Sequence, residues 1–282
     1  MLFETQTIDR EESFMADTVL YEAADGLATI TLNRPDAMNA LNTEAKVALR
    51  DAVVRAAEDP SVRAVLITGT GGKAFCVGQD LKEHVGLLAA DRENPGSGGT
   101  WNTVSEHYNP LVTAIAGMPK PVVAAVNGVA AGAGASIAFA CDLRIVADTA
   151  AFNTSFAGVA LTADSGASWT LPRLVGHAKA TELLMLPQTI PAAQALELGL
   201  ATKVVAADDL PQTASTIARM LAEGPTVAYA AIKESLAYAA DHSLVESLAK
   251  EDELQSRAGA SQDHAIAVEA FLKKEKPRYL GR

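Results

Sequence analysis

The stretch KPVVAAVNGVAAGAGAS, residues 120–136, carries the pattern on which the fold turns. Residues 121–126 are continuously apolar, which fits a strand buried on both faces better than one with a solvated side. Residues 128–134 are all glycine, alanine or valine, small enough to leave a backbone N–H pointing outward. From Ser136 the sequence predicts an apolar helix, SIAFA, whose N-terminus adds positive potential at the end of the loop. A similar arrangement stands upstream. Residues 64–68, AVLIT, form an apolar strand, and a glycine-rich loop over 69–78 leads into KAFCVGQDL at 73–81.

The surrounding chain supports an α/β reading. Residues 19–23 and 27–32 are β-rich runs on either side of Asp25-Gly26, a hairpin signal. After Thr43, taken as an N-cap, EAKVALRDAVVRAAED has helical spacing and stops at Pro60. Strand, helix, strand in this order predicts a parallel sheet, and residues 143–147 add another strand. A long surface loop is expected at 89–103. Beyond Pro172 the pattern turns helical, with a helix between Pro191 and Gly199 and others at 209–223, 226–240, 243–258 and 262–275. Ser243 and Glu246 make a capping box for the third of these four. The organisation is a polar extension over 1–17, an α/β core over 18–205 and a helical region over 206–282.

Composition narrows the function. The 282 residues are 49% hydrophobic and carry a net charge of −11, which disfavours nucleic acid or an anionic membrane as the main partner. Two cysteines, Cys76 and Cys141, are too few for a disulfide framework and point to a reducing cytoplasm. No run reaches the ~18 apolar residues of a membrane helix.

Two loops with outward N–H groups are equipment for an oxyanion hole. One such loop alone reads equally well as a tight turn. Gly132-Ala133-Gly134 lacks the third glycine of a dinucleotide fingerprint. Gly134-Ala135-Ser136-Ile137-Ala138 resembles part of a nucleophile elbow, with His177, His242 and His264 downstream, but its final glycine is absent.

ITLNRP at 30–35, FCVGQDLK at 75–82 and KPVVAAVNG at 120–128 through Cys141-Asp142 resemble, in order and spacing, the signature blocks of the crotonase (enoyl-CoA hydratase/isomerase) superfamily. The resemblance runs from about Val19 to Arg282. It implies an α/β, crotonase/ClpP-like spiral of β-β-α units with a C-terminal helical trimerisation region, assembled as a homotrimer or hexamer. The implied substrate is an acyl-CoA, its adenine near the first glycine loop, with no metal and no cofactor beyond the substrate's own CoA. Position by position, it makes the backbone N–H groups of Gln79 and Ala133 the oxyanion donors. It places Ala37, Val77, Gly78, Asp80, Leu81, Gly132, Gly134, Ser136 and Phe156 around the substrate.

Where hydratases of the superfamily carry two glutamates, this chain has Ser136 and Phe156, neither an acid nor a base. ADSGASWTLPR at 163–173, with HYNPL at 107–111, is similar to the 1,2-epoxyphenylacetyl-CoA isomerase branch, whose aspartate at the position of Asp164 is the acid/base. Ala163 and Ala167 depart from the proline and glycine usual there. A pocket of Phe156, Leu161 and Trp169 is expected to raise the Asp164 pKa. Taken alone, Asp164 also reads as the N-cap of a helix from Ser165, while Asp80 and Asp142 read as structural. The resemblance implies an enoyl-CoA, or epoxyphenylacetyl-CoA-like, isomerase; the competing functions are an enoyl-CoA hydratase with non-standard catalytic residues and a non-catalytic acyl-CoA binder.

Overall fold

The computed structural model describes residues 17–94 and 102–282. The expected extension, Asp17 apart, and the middle of the expected 89–103 loop lie outside the described residues.

Strands β1 (Val19–Ala24) and β2 (Leu27–Leu32) form the hairpin, closed by Asp25 and Gly26 at φ +51° and +80°. Positive φ at both central residues suits a tight turn whose twist matches its strands. Helix α1 (Thr43–Glu58) follows, capped by Asn42 rather than Thr43; the Asn42 carboxamide oxygen accepts the Ala45 N–H at 3.0 Å. Next come β3 (Ala64–Gly69), β4 (Ala74–Cys76) and α2 (Leu81–Glu93), which takes in the first residues of the expected loop. A π-helical turn, Val104–Tyr108, leads into α3 (Asn109–Gly117).

The β-β-α unit then repeats. Strands β5 (Val122–Val126) and β6 (Val129–Ala131) precede α4 (Ala133–Ala140). Strands β7 (Leu143–Ala147) and β8 (Ala151–Asn153) precede α5 (Ala167–Val175) and α6 (His177–Met185). A short β9 (Ile190–Pro191), α7 (Ala192–Glu197) and β10 (Lys203–Val205) complete the strand-bearing part. The first strand of each unit joins one sheet of order β1-β2-β3-β5-β7-β10, and the second joins another of order β4-β6-β8-β9. Every step from β2 to β10 and from β4 to β8 is parallel. The chain therefore spirals between two layers. This is the β-β-α spiral expected from the resemblance.

All five residues of β5 are buried, so the sheet is covered on both faces there, as its unbroken apolar run requires. Helix α8 (Leu210–Ala222) lies across β3, β5 and β7 with Leu210, Ala214, Ala218 and Ala222 buried, a four-residue repeat whose alanines allow close approach. Ile217 and Leu221 also pack against this core. By contrast Ile232 and Leu236 on α9 (Thr226–Ala239), and Leu244 and Leu248 on α10 (Leu244–Gly259), are exposed. Helix α10 begins with the expected Ser243–Glu246 capping box, and α11 (Gln262–Lys273) ends the helical part. Among the described residues no helix is long and apolar enough to cross a membrane.

Candidate active site

Both small-residue loops run from a second-layer strand into a helix, β4 into α2 and β6 into α4, and they meet at two glycines. Gly78, at φ +82°, is so close to the second loop that a Cβ would stand 2.9 Å from the Ala131 oxygen and 3.1 Å from the Ala133 nitrogen. A Cβ on Gly134 would stand 2.7 Å from the Cys76 carbonyl carbon and nearer still to its oxygen. Glycine is needed at both places for packing: it lets the backbone of Gln79 approach that of Ala133.

The flanking bonds isolate two donors. Leu41 N–H donates to the Gly78 oxygen at 2.7 Å, and Asp80 N–H donates to the Leu41 oxygen at 3.0 Å, passing over the N–H of Gln79 between them. Gly132 N–H donates to the Asn153 oxygen at 2.9 Å, and Ser136 N–H to the Gly132 oxygen at 3.1 Å. Ala133 is the first residue of α4, where no carbonyl of the helix's own can reach its N–H. Among the described residues, neither the Gln79 nor the Ala133 N–H has an acceptor. The helix starts three residues before Ser136, so its N-terminal potential falls on Ala133.

These residues border a cavity of about 360 Å³. Val77, Gln79, Leu81, Gly132 and Ala133 come from the loops, and Phe156, Leu161 and Asp164 from the segment after β8. Burial lifts the Asp164 carboxyl above its ordinary pKa, partly offset by a hydrogen bond from Ser165 Oγ at 2.8 Å. Ser165 and Gly166 hold positive φ, +51° and +77°, and Gly166 is the cap of α5, so Asp164 does not cap that helix. The bend instead leaves its carboxyl on the cavity wall.

Other expected residues stand elsewhere. Gly78 and Gly134 are buried in the seam between the loops. Ala37 ends a 3-10 turn, Pro35–Ala37, away from the cavity wall. Asp80 caps α2, accepting the N–H groups of Lys82 and Glu83 and pairing with Arg34 at 3.0 Å. Burial pushes its pKa up, but the Arg34 hydrogen bond and those two N–H groups win and hold it low. Ser136 is buried, its hydroxyl donating to the Gly132 oxygen at 3.1 Å, so it is neither a wall residue nor an exposed nucleophile. Trp169 does not line the cavity; it is 45% exposed and stacks with Arg173. Helix α5 turns that face outward. Asp142 holds the Val122 N–H and the Lys233 ammonium. Cys76 and Cys141 are buried free thiols, pushed up to about 12 by burial and thus unreactive as thiolates.

Sequence reading gave no site role to Lys46 or to Tyr108, the latter noted only within the HYNPL block, nor to His84 and Thr103, which border the cavity as Tyr108 does. The Tyr108 hydroxyl donates to Gln79 Oε1 at 2.8 Å, and the Lys46 ammonium reaches the same oxygen at 3.3 Å and Thr103 Oγ1 at 2.8 Å. Lys46 is 1% exposed. It sits on the buried face of α1 with Ala45, Leu49, Ala52, Val53 and Ala56, and a lysine in an apolar helical stripe was the available signal.

A two-layer β-β-α spiral with a pair of unused backbone donors beside a largely apolar cavity defines a class of small-molecule enzyme built around oxyanion binding. The profile described as "Enoyl-CoA hydratase/isomerase" matches residues 22–282, and the chain is an enzyme of that family, with the crotonase fold. It is 38% identical over 268 residues to the "1,2-epoxyphenylacetyl-CoA isomerase" of Escherichia coli (strain K12), covering 95% of this chain and 100% of the relative. It is 33% identical to the "Crotonyl-CoA hydratase" of Syntrophomonas wolfei, covering 94% and 99%. The crystal structure of a Mycobacterium abscessus protein described as an enoyl-CoA hydratase/isomerase superposes with a TM-score of 0.88 at 44% identity, covering 94% of this chain and 100% of that one.

Proposed function

We propose that this enzyme moves a carbon–carbon double bond along an acyl-CoA thioester, with Asp164 as acid/base and the Gln79 and Ala133 N–H groups as the oxyanion hole. The observation that carries the reading is that Asp164 is the one carboxylate among the described residues of the cavity wall, which it shares with both donors. For a 3-enoyl thioester, the Asp164 carboxylate takes a proton from C2. The electron pair left on C2 delocalises onto the thioester oxygen, where two N–H groups stabilise the dienolate. The protonated Asp164 then delivers that proton to C4, and collapse of the enolate leaves the double bond between C2 and C3. A carboxyl raised by burial is a stronger base than a solvated one, which suits removal of a weakly acidic C–H proton.

Addition of water by two carboxyl groups is the less supported reading: Ser136 points into its own helix and Phe156 is part of the wall. The scheme uses the chain's own residues and the CoA of its substrate. The exposed apolar residues Ile232, Leu236, Leu244 and Leu248 support assembly as a homotrimer or hexamer. Acidic charge and buried thiols suit the cytoplasm. The test is Asp164→Asn, which keeps the size and removes proton transfer. It should lower kcat for 3-enoyl-CoA by about 100- to 10,000-fold with thioester affinity nearly intact. A loss of only a few-fold in kcat would refute the role.

A further inference from the structure

Asp164 opens a tight turn over residues 164–167, closed by the Ala167 N–H, which donates to the Asp164 main-chain oxygen at 3.0 Å. Both central residues are left-handed, Ser165 at φ +51° and Gly166 at φ +77°. Glycine is the ordinary occupant of that conformation, and position 166 also needs it for space, since a Cβ there would stand 2.9 Å from Val112 Cγ1 on α3. Position 165 keeps a serine instead. It is 1% exposed and holds a backbone conformation that glycine would adopt with less strain. Strain of this kind persists where surrounding contacts hold it, and it clusters at functional sites.

The serine supplies one hydrogen bond, from its Oγ to Asp164 Oδ1 at 2.8 Å, and among the described residues that hydroxyl has no other partner. The two carboxyl oxygens are therefore unequal. No donor among the described residues reaches Oδ2, yet it is not one of the sealed polar atoms that lack a partner, so it is open, on a residue of the cavity wall. A carboxyl free to rotate spreads its basic lone pairs over many directions, whereas one tied to a packed turn keeps its open oxygen within a narrow arc. We infer that Ser165 is a positioning residue, whose hydroxyl pins Oδ1 of Asp164 and leaves Oδ2 to take the proton from C2 and return it at C4. This rests on the proposed function, in which Asp164 moves that proton. The tie survives the transfer, because Oδ1 of the protonated acid is still an acceptor, so the carboxyl need not turn between the two steps.

The test removes the hydroxyl by Ser165→Ala and by Ser165→Gly; glycine adopts positive φ freely, which covers the case in which the alanine variant fails to fold. On trans-3-hexenoyl-CoA each should lower kcat on the alkaline plateau by about ten- to a hundredfold, with KM within about twofold of the parent. Loss of the donor also leaves the carboxylate less stabilised, so the acidic limb of kcat/KM should move to higher pH. The other titratable groups of the wall, His84 and Tyr108, are present in parent and variant alike, so the difference between the profiles belongs to Asp164. Ser165→Cys, a weaker donor of similar shape, should fall between parent and alanine variant. In an Asp164→Asn background Ser165→Ala should cost no more than about twofold further, since the hydroxyl acts through the carboxylate. A parental kcat with an unmoved acidic limb in a folded variant, or an undiminished cost in the Asp164→Asn background, overturns the inference, while a crippled Asp164→Asn enzyme leaves the proposed function standing. An Asp164→Asn enzyme as active as the parent removes both.

Discussion

Replacing Gly134 with alanine probes the joint that sets the two backbone donors side by side. The added Cβ would stand 2.7 Å from the Cys76 carbonyl carbon and 2.8 Å from the Cys76 Cβ. Carbon contacts settle at about 3.5–4.0 Å, so the deficit is roughly 1 Å. Nothing nearby yields easily: Cys76 belongs to β4, which is paired with β6, and it is fully buried. The start of α4 must therefore move, and Ala133 moves with it. A displacement of about 1 Å at a reacting group costs on the order of 100-fold, and loss of one oxyanion donor about 100- to 1,000-fold in kcat. Overpacking should also take about 1–3 kcal/mol from stability, at roughly 2–4 °C of Tm for each kcal/mol in a domain of this size. Steady-state kinetics on a 3-enoyl-CoA, with a thermal melt, reads both effects. Gly72→Ala is the control, since no atom lies within 4 Å of its added Cβ and its φ is not positive. Gly134→Ala with unchanged kcat and Tm would show that the seam does not position Ala133.

At Gly78 alanine meets positive φ as well as the Ala131 oxygen. Gly78→Ala should lower Tm and kcat together, by a mechanism of packing rather than direct obstruction of CoA; a fall in CoA affinity alone, with Tm and kcat kept, would contradict this. Because the Asp164 pKa is raised in the fold, kcat/KM should fall as pH drops through that raised value, and a profile flat down to the ordinary carboxylate range would refute it. The same shift has a stability counterpart. The folded state holds the proton more tightly than the unfolded one, so stability is highest below the unfolded pKa and is lost as pH rises through the folded pKa. Asp164→Asn should thus melt higher than the parent at neutral pH, with the gap closing in acid; equal melting at both pH values would count against it. Light scattering at micromolar concentration should give a mass of three or six subunits, and Leu236→Glu with Leu248→Glu should shift it toward one; a monomeric parent would remove the assembly proposal.

Much of the framework was legible because it is encoded locally. The buried strand at 122–126, the hairpin at Asp25-Gly26 and the Ser243–Glu246 box follow from apolar run length, turn chemistry and capping, each a matter of neighbouring residues. Signature blocks located both loops and, through the resemblance they carry, implied the spiral; the order of strands and helix by itself predicted a parallel sheet. Three-residue strands such as β4, β6 and β8 left no period to read, since they exist through pairing with one another across the chain. Helix α4 began three residues earlier than its apolar run suggested because Gly132, at φ +52°, allows the chain to turn directly into it.

Residue identity, then, was the sequence's contribution: which carboxylate, which glycines, which loops. Placement was decided by the tertiary structure. Burial sets the state of Asp164, and no local pattern reports how much water the fold leaves around a carboxyl. The bonds from Lys46 and Tyr108 to Gln79 span 33 and 29 residues of chain. Ser136 stands in part of a nucleophile-elbow pattern, and only the fold shows that the helix turns its hydroxyl onto the Gly132 oxygen. Propensity and hydrophobic period act among near neighbours in sequence, whereas desolvation and hydrogen-bond partners depend on what the finished fold brings against each group.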